Sequence, residues 1–398
     1  MKLKQHCALT AALTAALAAG TAAAADAELN PIVVTATRQA TRANDLMADI
    51  TVIDREEIEQ AGQSTLEQLL ARQPGVQYTA NGGPGTNSGV FIRGTAPNQS
   101  IVLIDGQRFG SATSGDAALS RIPLSQVERI EILRGPASSL YGADAIGGVI
   151  QIFTKRGEGP ARFNASTGFG TYNTSDSSVG VSGGSELVSY SLQGGYYATK
   201  GVTSIHNKND PFGEYNRDPD GYRNNSFSGS VSLRPVSGHE IGANFLASNG
   251  TSRFDASYPS PAGANYRNQE DVANYSVYSR NRFASNWTST LRVGRSTDDS
   301  TGFSQGHGIK DYVFRTDQDQ ASWQNDIKLP IGSALLAAEY LKQSVSSTTN
   351  FTTDERTIRS LLAGWTGNLD QHRFQFNVRR DDNSQFGGQT TGSVGYGY

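Results

Sequence analysis

The residues with the clearest chemical potential are carboxylates. Asp218 and Asp220 sit in an Asp-Pro-Asp-Gly stretch, Asp255 follows Phe254, and Asp210 and Asp271 lie nearby. The segment from about Arg223 to Asn249 reads as a hairpin, so the stretches flanking it emerge at one end, where their carboxylates can converge. Calcium takes roughly 6–8 oxygen ligands, which three carboxylates with main-chain carbonyls and waters can supply. The plainer reading is a turn, which Asp-Pro-Asp-Gly composition explains by itself. Arg93 and Arg134 each follow apolar strand residues and precede Gly, with Glu128 and Glu131 close to the second arginine. Three positions apart, these glutamates project to opposite faces of a strand. Material for catalysis is thin. Histidine occurs only at 6, 206, 239, 307 and 372, no His-Glu-x-x-His is present, and no nucleophile–base–acid set is visible, so an enzyme is not expected. Cys7, the only cysteine, rules out an intramolecular disulfide and a Cys-based zinc site.

The 398 residues include 34 Lys and Arg against 37 Asp and Glu, a net charge of −3, without the basic excess of a nucleic-acid binder. Only 36% of residues are apolar and 44 are Gly, yet 16 Tyr and 16 Phe are too many for a disordered chain. Many strands with Gly-rich turns fit better.

Residues 1–25 read as a secretory signal peptide: Lys2 and Lys4, an apolar run from Ala8 to Ala19, then small residues at Ala23-Ala24-Ala25. The run is too short to span a membrane, and no later stretch approaches the ~18 apolar residues of a transmembrane helix.

Residues 26–156 read as one α+β domain. Ile50–Ile53 is a strand, Asp54 with Glu57 caps a helix that Gly62 ends, and Ser64 with Glu67 repeats the capping box. Leu66, Leu69 and Leu70 fall on one helical face, and Pro74-Gly75 stops that helix. Val90–Arg93, Ile101–Ile104, Val127–Arg134 and Val149–Thr154 are strands, with a short helix through Ser138–Leu140. The loops Asn81–Gly89 and Gly110–Asp116 are rich in Gly, Ser, Asn and Thr. They lack the Lys-Ser/Thr of a phosphate loop and read equally as a polar ligand surface or as solvated turns.

From about Ala161 onward, two-residue periodicity recurs. Val188, Tyr190, Leu192 and Tyr196 alternate with Ser189, Ser191 and Gln193; Phe227, Val231 and Leu233 alternate with Ser226 to Ser232; Phe374, Phe376 and Val378 alternate with Gln375, Asn377 and Arg379. A soluble sandwich alternates too, but these segments approach the ~9–11 residues of a membrane strand. Short turns at Pro235–Gly238 and Pro330–Ser333 alternate with long loops at Thr199–Arg223, Gly250–Glu270 and Gly302–Val313, the pattern of an outer-membrane barrel.

A family resemblance rests on motifs that appear in order: Ile32–Arg38 (Ile-Val-Val-Thr-Ala-Thr-Arg), Phe91-Ile92-Arg93-Gly94, Leu103-Ile104-Asp105-Gly106, Val127–Pro136 and Leu140–Ile150. Together they resemble the plug of a TonB-dependent outer-membrane receptor. Asn81-Gly82-Gly83, Asp218–Gly221, Phe254-Asp255-Ala256 and Arg380–Phe386 make the chain most similar to the cobalamin-transporting branch of that family. The resemblance implies an α+β plug followed by an antiparallel transmembrane β-barrel, 22-stranded in the family. It implies that Pro31, Ile32, Val33, Val34, Thr35, Ala36 and Thr37 form the box grasped by a periplasmic TonB-type energy-coupling protein. It carries ligand contact to Asn87, Gly89, Ala96, Thr113 and Ser114. It makes Arg93, Glu128, Glu131 and Arg134 partners of barrel charges or of one another. Calcium, structural rather than catalytic, would sit on Asp210, Asp218, Asp220, Asp255 and Asp271. Near Gly201, where the branch has an earlier aspartate, this chain has Thr203.

One departure concerns length. Residues 157–398 are expected to hold about eleven strands and to stop inside a twelfth from Ser393 to Tyr398, roughly half of a 22-stranded barrel at ~10 residues per strand. A half-barrel has unpaired edges, which lipid does not tolerate. The expected function is energy-coupled uptake of cobalamin or a related corrinoid across the outer membrane. The alternatives are a siderophore or haem receptor, or a surface-binding remnant that does not transport.

Overall fold

A computed structural model describes residues 33–35, 37–42, 46–62, 65–203, 218–255, 266–303 and 310–398. The signal-peptide residues, Pro31, Ile32, Ala36, Ser64, Asp210 and Ala256 lie outside them. After two-residue strands β1 (Val33–Val34) and β2 (Thr41–Arg42), five strands form a sheet: β3 (Asp49–Ile53), β6 (Ser100–Ile104), β7 (Gln107–Phe109), β8 (Val127–Arg134) and β9 (Gly148–Thr154). Their order is β3-β8-β9-β6-β7, with β6 and β9 parallel. Strands β4 (Val76–Ala80) and β5 (Ser88–Ile92) pair separately as a hairpin.

Three short helices accompany these strands: α1 (Arg55–Gln60), α2 (Leu66–Leu70) and α3 (Ser138–Tyr141). Asp54 caps α1 by accepting from the Glu57 N–H at 2.9 Å. The cap of α2 is Thr65, which accepts from the Gln68 N–H, rather than Ser64. Glu67 is thereby freed from capping and turns inward, where it accepts from Ser88 Oγ at 2.8 Å. Leu66, Leu69 and Leu70 are buried with Ile53, Ile92, Ile104, Ile122, Ile130, Ile132, Ile150 and Ile152, giving the domain its own core.

The remaining chain is a twelve-stranded antiparallel meander, each strand paired with the next. In order these are β10 (Arg162–Gly170), β11 (Thr174–Gly184), β12 (Val188–Thr199), β13 (Tyr222–Val236), β14 (His239–Phe254), β15 (Tyr266–Ala284), β16 (Trp287–Phe303), β17 (Lys310–Lys328), β18 (Ser333–Ser347), β19 (Glu355–Leu369), β20 (His372–Asn383) and β21 (Gly387–Gly397). β10 and β21 are its two edges. The twelfth strand starts at Gly387, not Ser393. Its Gly and Thr residues carry little apolar signal, but the backbone still pairs with β20 from Asn383↔Gly387 onward. The strands β14 to β17 also run further than expected, leaving connections of 255–265 and 304–309. Their upper turns are polar on both faces and so read as loop in the sequence.

The sheet is polar on its concave side and apolar on its convex side. Ser226, Ser228 and Ser276 are buried, whereas their neighbours Phe227 and Val277 are each 57% exposed. Tyr190, Leu192, Val231, Phe245, Leu291, Val293, Trp323, Leu336, Leu361 and Val378 are likewise exposed. A water-soluble sandwich requires the reverse. Apolar side chains facing outward in a continuous belt need hydrocarbon around them. The concave polar face takes the first domain as its filling. Gln126 Nε2 donates to Ser226 Oγ at 2.9 Å, and Gln320 donates to Arg108 O at 2.7 Å while accepting from the Arg108 N–H at 2.9 Å. Two apolar contacts interrupt this polar seam. Leu246 and Val272 join the core of the first domain, and Leu140 of α3 packs with Leu335, Ala337 and Leu362.

Candidate functional site

Three loops of the filling domain meet at the end of the sheet that carries the long connections. They are 81–87, between β4 and β5, then 93–99, and 110–117 after β7. Gly89 lies against Pro97, and Gly115 lies against Asn98. The residues singled out for ligand contact therefore come together: Asn87, Ala96, Thr113 and Ser114 are exposed on these loops, with Gly89 at the base of the first. Each loop braces itself. The Asn81 N–H donates to Asn87 O, Ser111 Oγ lies 2.7 Å from Thr113 Oγ1, and the Ser111 N–H donates to Asp116 O. Half-burial pushes the Asp116 carboxyl above its ordinary pKa. The barrel wall pins the third loop: Gln318 Nε2 donates to Gly110 O at 2.5 Å, and the Ala112 N–H donates to Thr316 Oγ1 at 3.1 Å.

At the short-turn end, the segment after β1 is held by charge. The Thr35 N–H donates to Glu131 Oε2 at 2.8 Å, and Arg129 pairs with the other oxygen of that carboxylate. Arg38 Nη1 meets Glu339 Oε1 at 2.5 Å and lies over the Tyr141 ring. Arg379 bridges Glu339 at 2.7 Å and Asp381 at 2.8 Å, and also donates to Leu140 O. Two cations and two carboxylates, all mostly buried, thus alternate across the seam, the arrangement in which buried charge is tolerated.

The expectation for Arg93 and Arg134 changes. Both pair with Asp49 on β3, inside the filling domain, because β3 pairs with β8 and places Asp49 opposite Arg134. Glu131 holds Arg129 and Thr35, and Glu128 is exposed beside Lys155 and Arg55. The ion pairs to the barrel wall come instead from Arg38 and from Arg121, whose Nε meets Glu270 Oε2 at 2.5 Å. Neither was singled out from sequence. Arg38 stood directly after the Thr-Ala-Thr run and so carried a readable signal, whereas Glu270, the partner of Arg121, fell at the end of a stretch that reads as loop.

Among the described residues, no three His, Cys, Asp or Glu side chains converge as metal ligands. Alternation along β15 turns Asp271 to the convex face, opposite Glu270, where Asn249 and Gln269 donate to it. Asp218 and Asp220 lie just before β13, and Asp220 is buried; Asp255 directly follows β14. Asp271 is thus held by Asn249 and Gln269 on the convex face, and Asp210 lies outside the described residues.

Residues 42–149 match the family model "TonB-dependent Receptor Plug Domain". The chain is 32% identical over 384 residues to the vitamin B12 transporter BtuB of Photobacterium profundum, covering 94% of this chain and 60% of that protein. With the BtuB of Vibrio cholerae it shares 32% over 377 residues, 92% of this chain and 59% of that one. It therefore spans about three fifths of the length of these relatives. In fold it is similar to the ferric enterobactin receptor PfeA of Pseudomonas aeruginosa (TM-score 0.71, 20% identity, 91% of this chain and 61% of that one). It is also similar to the siderophore receptor PirA of Acinetobacter baumannii (TM-score 0.69, 20% identity, 87% and 58%). With residues 42–149 matching that family model and the domain seated on the polar face of an antiparallel sheet, the chain carries a TonB-dependent receptor plug and is similar over most of its length to outer-membrane β-barrel receptors.

Proposed function

We propose that the protein takes up cobalamin or a related corrinoid across the outer membrane, with energy supplied by a TonB-type partner in the periplasm. The carrying observation is the placement of two surfaces on opposite ends of one plug. The three braced loops, with Asn87, Gly89, Ala96, Thr113 and Ser114, lie at the long-loop end. The segment that includes Val34, Thr35 and Thr37 lies near the short turns, where Gln39 Nε2 donates to Ala334 O at the start of β18. A polar, shallow surface of small residues suits a large ligand bearing many amides, which such loops meet through main-chain and hydroxyl groups. An extended β-branched segment suits strand addition to a partner's sheet edge, with Pro31, Ile32 and Ala36 completing it.

The identity of the ligand rests on the sequence relatives, which are named vitamin B12 transporters. The siderophore receptors resemble the chain at about one fifth identity and so speak for the fold alone. The test is equilibrium binding of cyanocobalamin to outer membranes carrying the protein, with ferric enterobactin as competitor. Saturable cyanocobalamin binding that ferric enterobactin leaves untouched supports the reading. Binding of the ferric chelate alone replaces it with the siderophore reading.

A further inference from the structure

The cations on the convex face fall into two groups. On β16 and β17 they are matched: Arg295 Nε meets Asp319 Oδ1 at 2.6 Å, and Arg315 Nε meets Asp317 Oδ2 at 2.9 Å. On β13, β14 and β15 they are not. Arg223, Arg253 and Arg267 are exposed, and among the described residues none of their guanidiniums forms an ion pair. Each shares the outward parity of its strand's apolar residues, Phe227, Phe245 and Val277, and so projects from the convex face.

Strand pairing gathers the three. Arg253 stands directly opposite Arg267, and Arg223 stands opposite Thr251, two residues below Arg253. The first two are nearest cross-strand neighbours and the third is a diagonal one, about 7–8 Å away. Like charges directly opposite destabilise a sheet, so this row calls for an anion. The protein supplies little. Asp271, the outward carboxylate of β15, is taken by Asn249 and Gln269, and residues 256–265, which join β14 to β15, contain no Asp or Glu. The Arg267 guanidinium lies over the Phe303 ring, 4.5 Å from its centroid, which places the charge without neutralising it.

Height narrows the choice of anion. Arg223 lies four residues beyond Phe227, and Arg267 lies six beyond Ala273, the last apolar outward residues on their strands. At about 3.4 Å per residue and a tilt of about 40°, the row stands roughly 10–15 Å above the hydrocarbon. An ordinary phospholipid head group is only about 5–8 Å deep, so its phosphate lies below the row. A lipid that carries phosphate on a sugar head group reaches it.

We propose that Arg223, Arg253 and Arg267 form a site for the phosphorylated sugar head group of an outer-leaflet glycolipid. The guanidiniums donate charge-assisted hydrogen bonds to the phosphate oxygens, for which their planar forks are suited. Phosphate cancels the repulsion between Arg253 and Arg267, and the Phe303 ring beside them offers an apolar face to the sugar. The site is independent of the ligand read for the plug loops and rests only on the outer-membrane setting.

The experiment titrates the full chain, extracted from outer membranes into neutral detergent, with rough-type lipopolysaccharide and follows binding and the melting temperature. Saturable binding that raises the melting temperature is expected. Arg253→Gln/Arg267→Gln should weaken it at least about tenfold, the effect of losing one hydrogen bond to a charged group. Arg315→Gln, on the same face but already paired, should leave it unchanged. Lipopolysaccharide stripped of phosphate by hydrofluoric acid should bind the wild type as poorly as intact lipid binds the double variant. Without lipid the double variant should melt no lower than the wild type, since it loses a repulsion. Equal affinity in wild type and folded double variant, or equal affinity for the stripped lipid, overturns the proposal. Phosphatidylglycerol binding as tightly replaces the glycolipid with any anionic membrane surface, and full competition by millimolar inorganic phosphate reduces the site to one for a free anion; either result overturns it too. If the double variant does not fold, the stripped lipid on the wild type decides.

Discussion

The Thr35 N–H donates to Glu131 Oε2 at 2.8 Å, so a residue at the start of the plug is tied to one on its central strand 96 positions later. The carboxylate is buried and shared with Arg129, which makes the contact a charge-assisted one. Replacing Glu131 with Gln keeps the shape and removes the charge. The segment should then open more often, and trypsin should cut after Arg38 about ten times faster, the equivalent of one such hydrogen bond. An unchanged cleavage rate would mean the tie contributes nothing.

The seam between plug and barrel is held by apolar contact at only a few places, and Leu246 is 1% exposed in one of them. Leu246→Ala should cost about 2–5 kcal/mol, the usual range for emptying such a site. Thermal unfolding in detergent micelles measures this. A loss below about 1 kcal/mol would mean that the wall collapses around the gap.

Lipid exposure of the convex face predicts the opposite of what a soluble protein would show. Val277, on the convex face of β15, should not tolerate Arg. The cost near the bilayer middle is about 2–4 kcal/mol and falls toward the interfaces. Folding yield into lipid vesicles reads it. A soluble sandwich would accept the change on its exposed face without loss.

Glu67 links stability to pH. Burial raises its pKa above that of an exposed glutamate, with Ser88 and Arg121 opposing. The folded state therefore binds this proton more tightly than the unfolded state. Its stabilising share is full below the unfolded-state pKa and is lost as pH rises through the folded-state value. Glu67→Gln should raise the melting temperature at pH 7 and lose that advantage by about pH 4. An advantage that persists in acid would assign the effect to packing instead.

Much of this architecture was readable from residue order. Alternation fixed which residues share a face of β12, β13 and β20, and the Leu66, Leu69, Leu70 spacing marked the buried side of α2. What escaped had physical reasons. Thr251, Asn268 and Gln269 lie where strands rise past the apolar belt, and polar residues on both faces look like loop. Thr65 caps α2 although Ser64 and Glu67 had the spacing of a capping box, because Glu67 finds Ser88 across the fold. Arg121 and Glu270 are 149 residues apart, and only the seating of the plug on the sheet brings them to 2.5 Å. Asp49 stood unnoticed between Ala48 and Ile50, yet strand pairing sets it opposite Arg134.

The three-loop surface depends on close backbone approach. Gly115 has φ 79°, and a Cβ there would stand 2.6 Å from Asn98 Cβ. Gly115→Val should separate the second and third loops and weaken cyanocobalamin binding at least about tenfold, since strain and clash each cost about 1–3 kcal/mol. Unaltered affinity would remove these loops from the ligand surface.

The most direct measurement is energised uptake of radiolabelled cyanocobalamin by cells that lack their own outer-membrane cobalamin receptor and express this protein. Saturable accumulation that a protonophore abolishes is the expected result. Val34→Pro, which removes a strand N–H from the coupling segment, should abolish it too while surface binding persists. Accumulation that survives both treatments, or the absence of cyanocobalamin binding by folded protein, would contradict it.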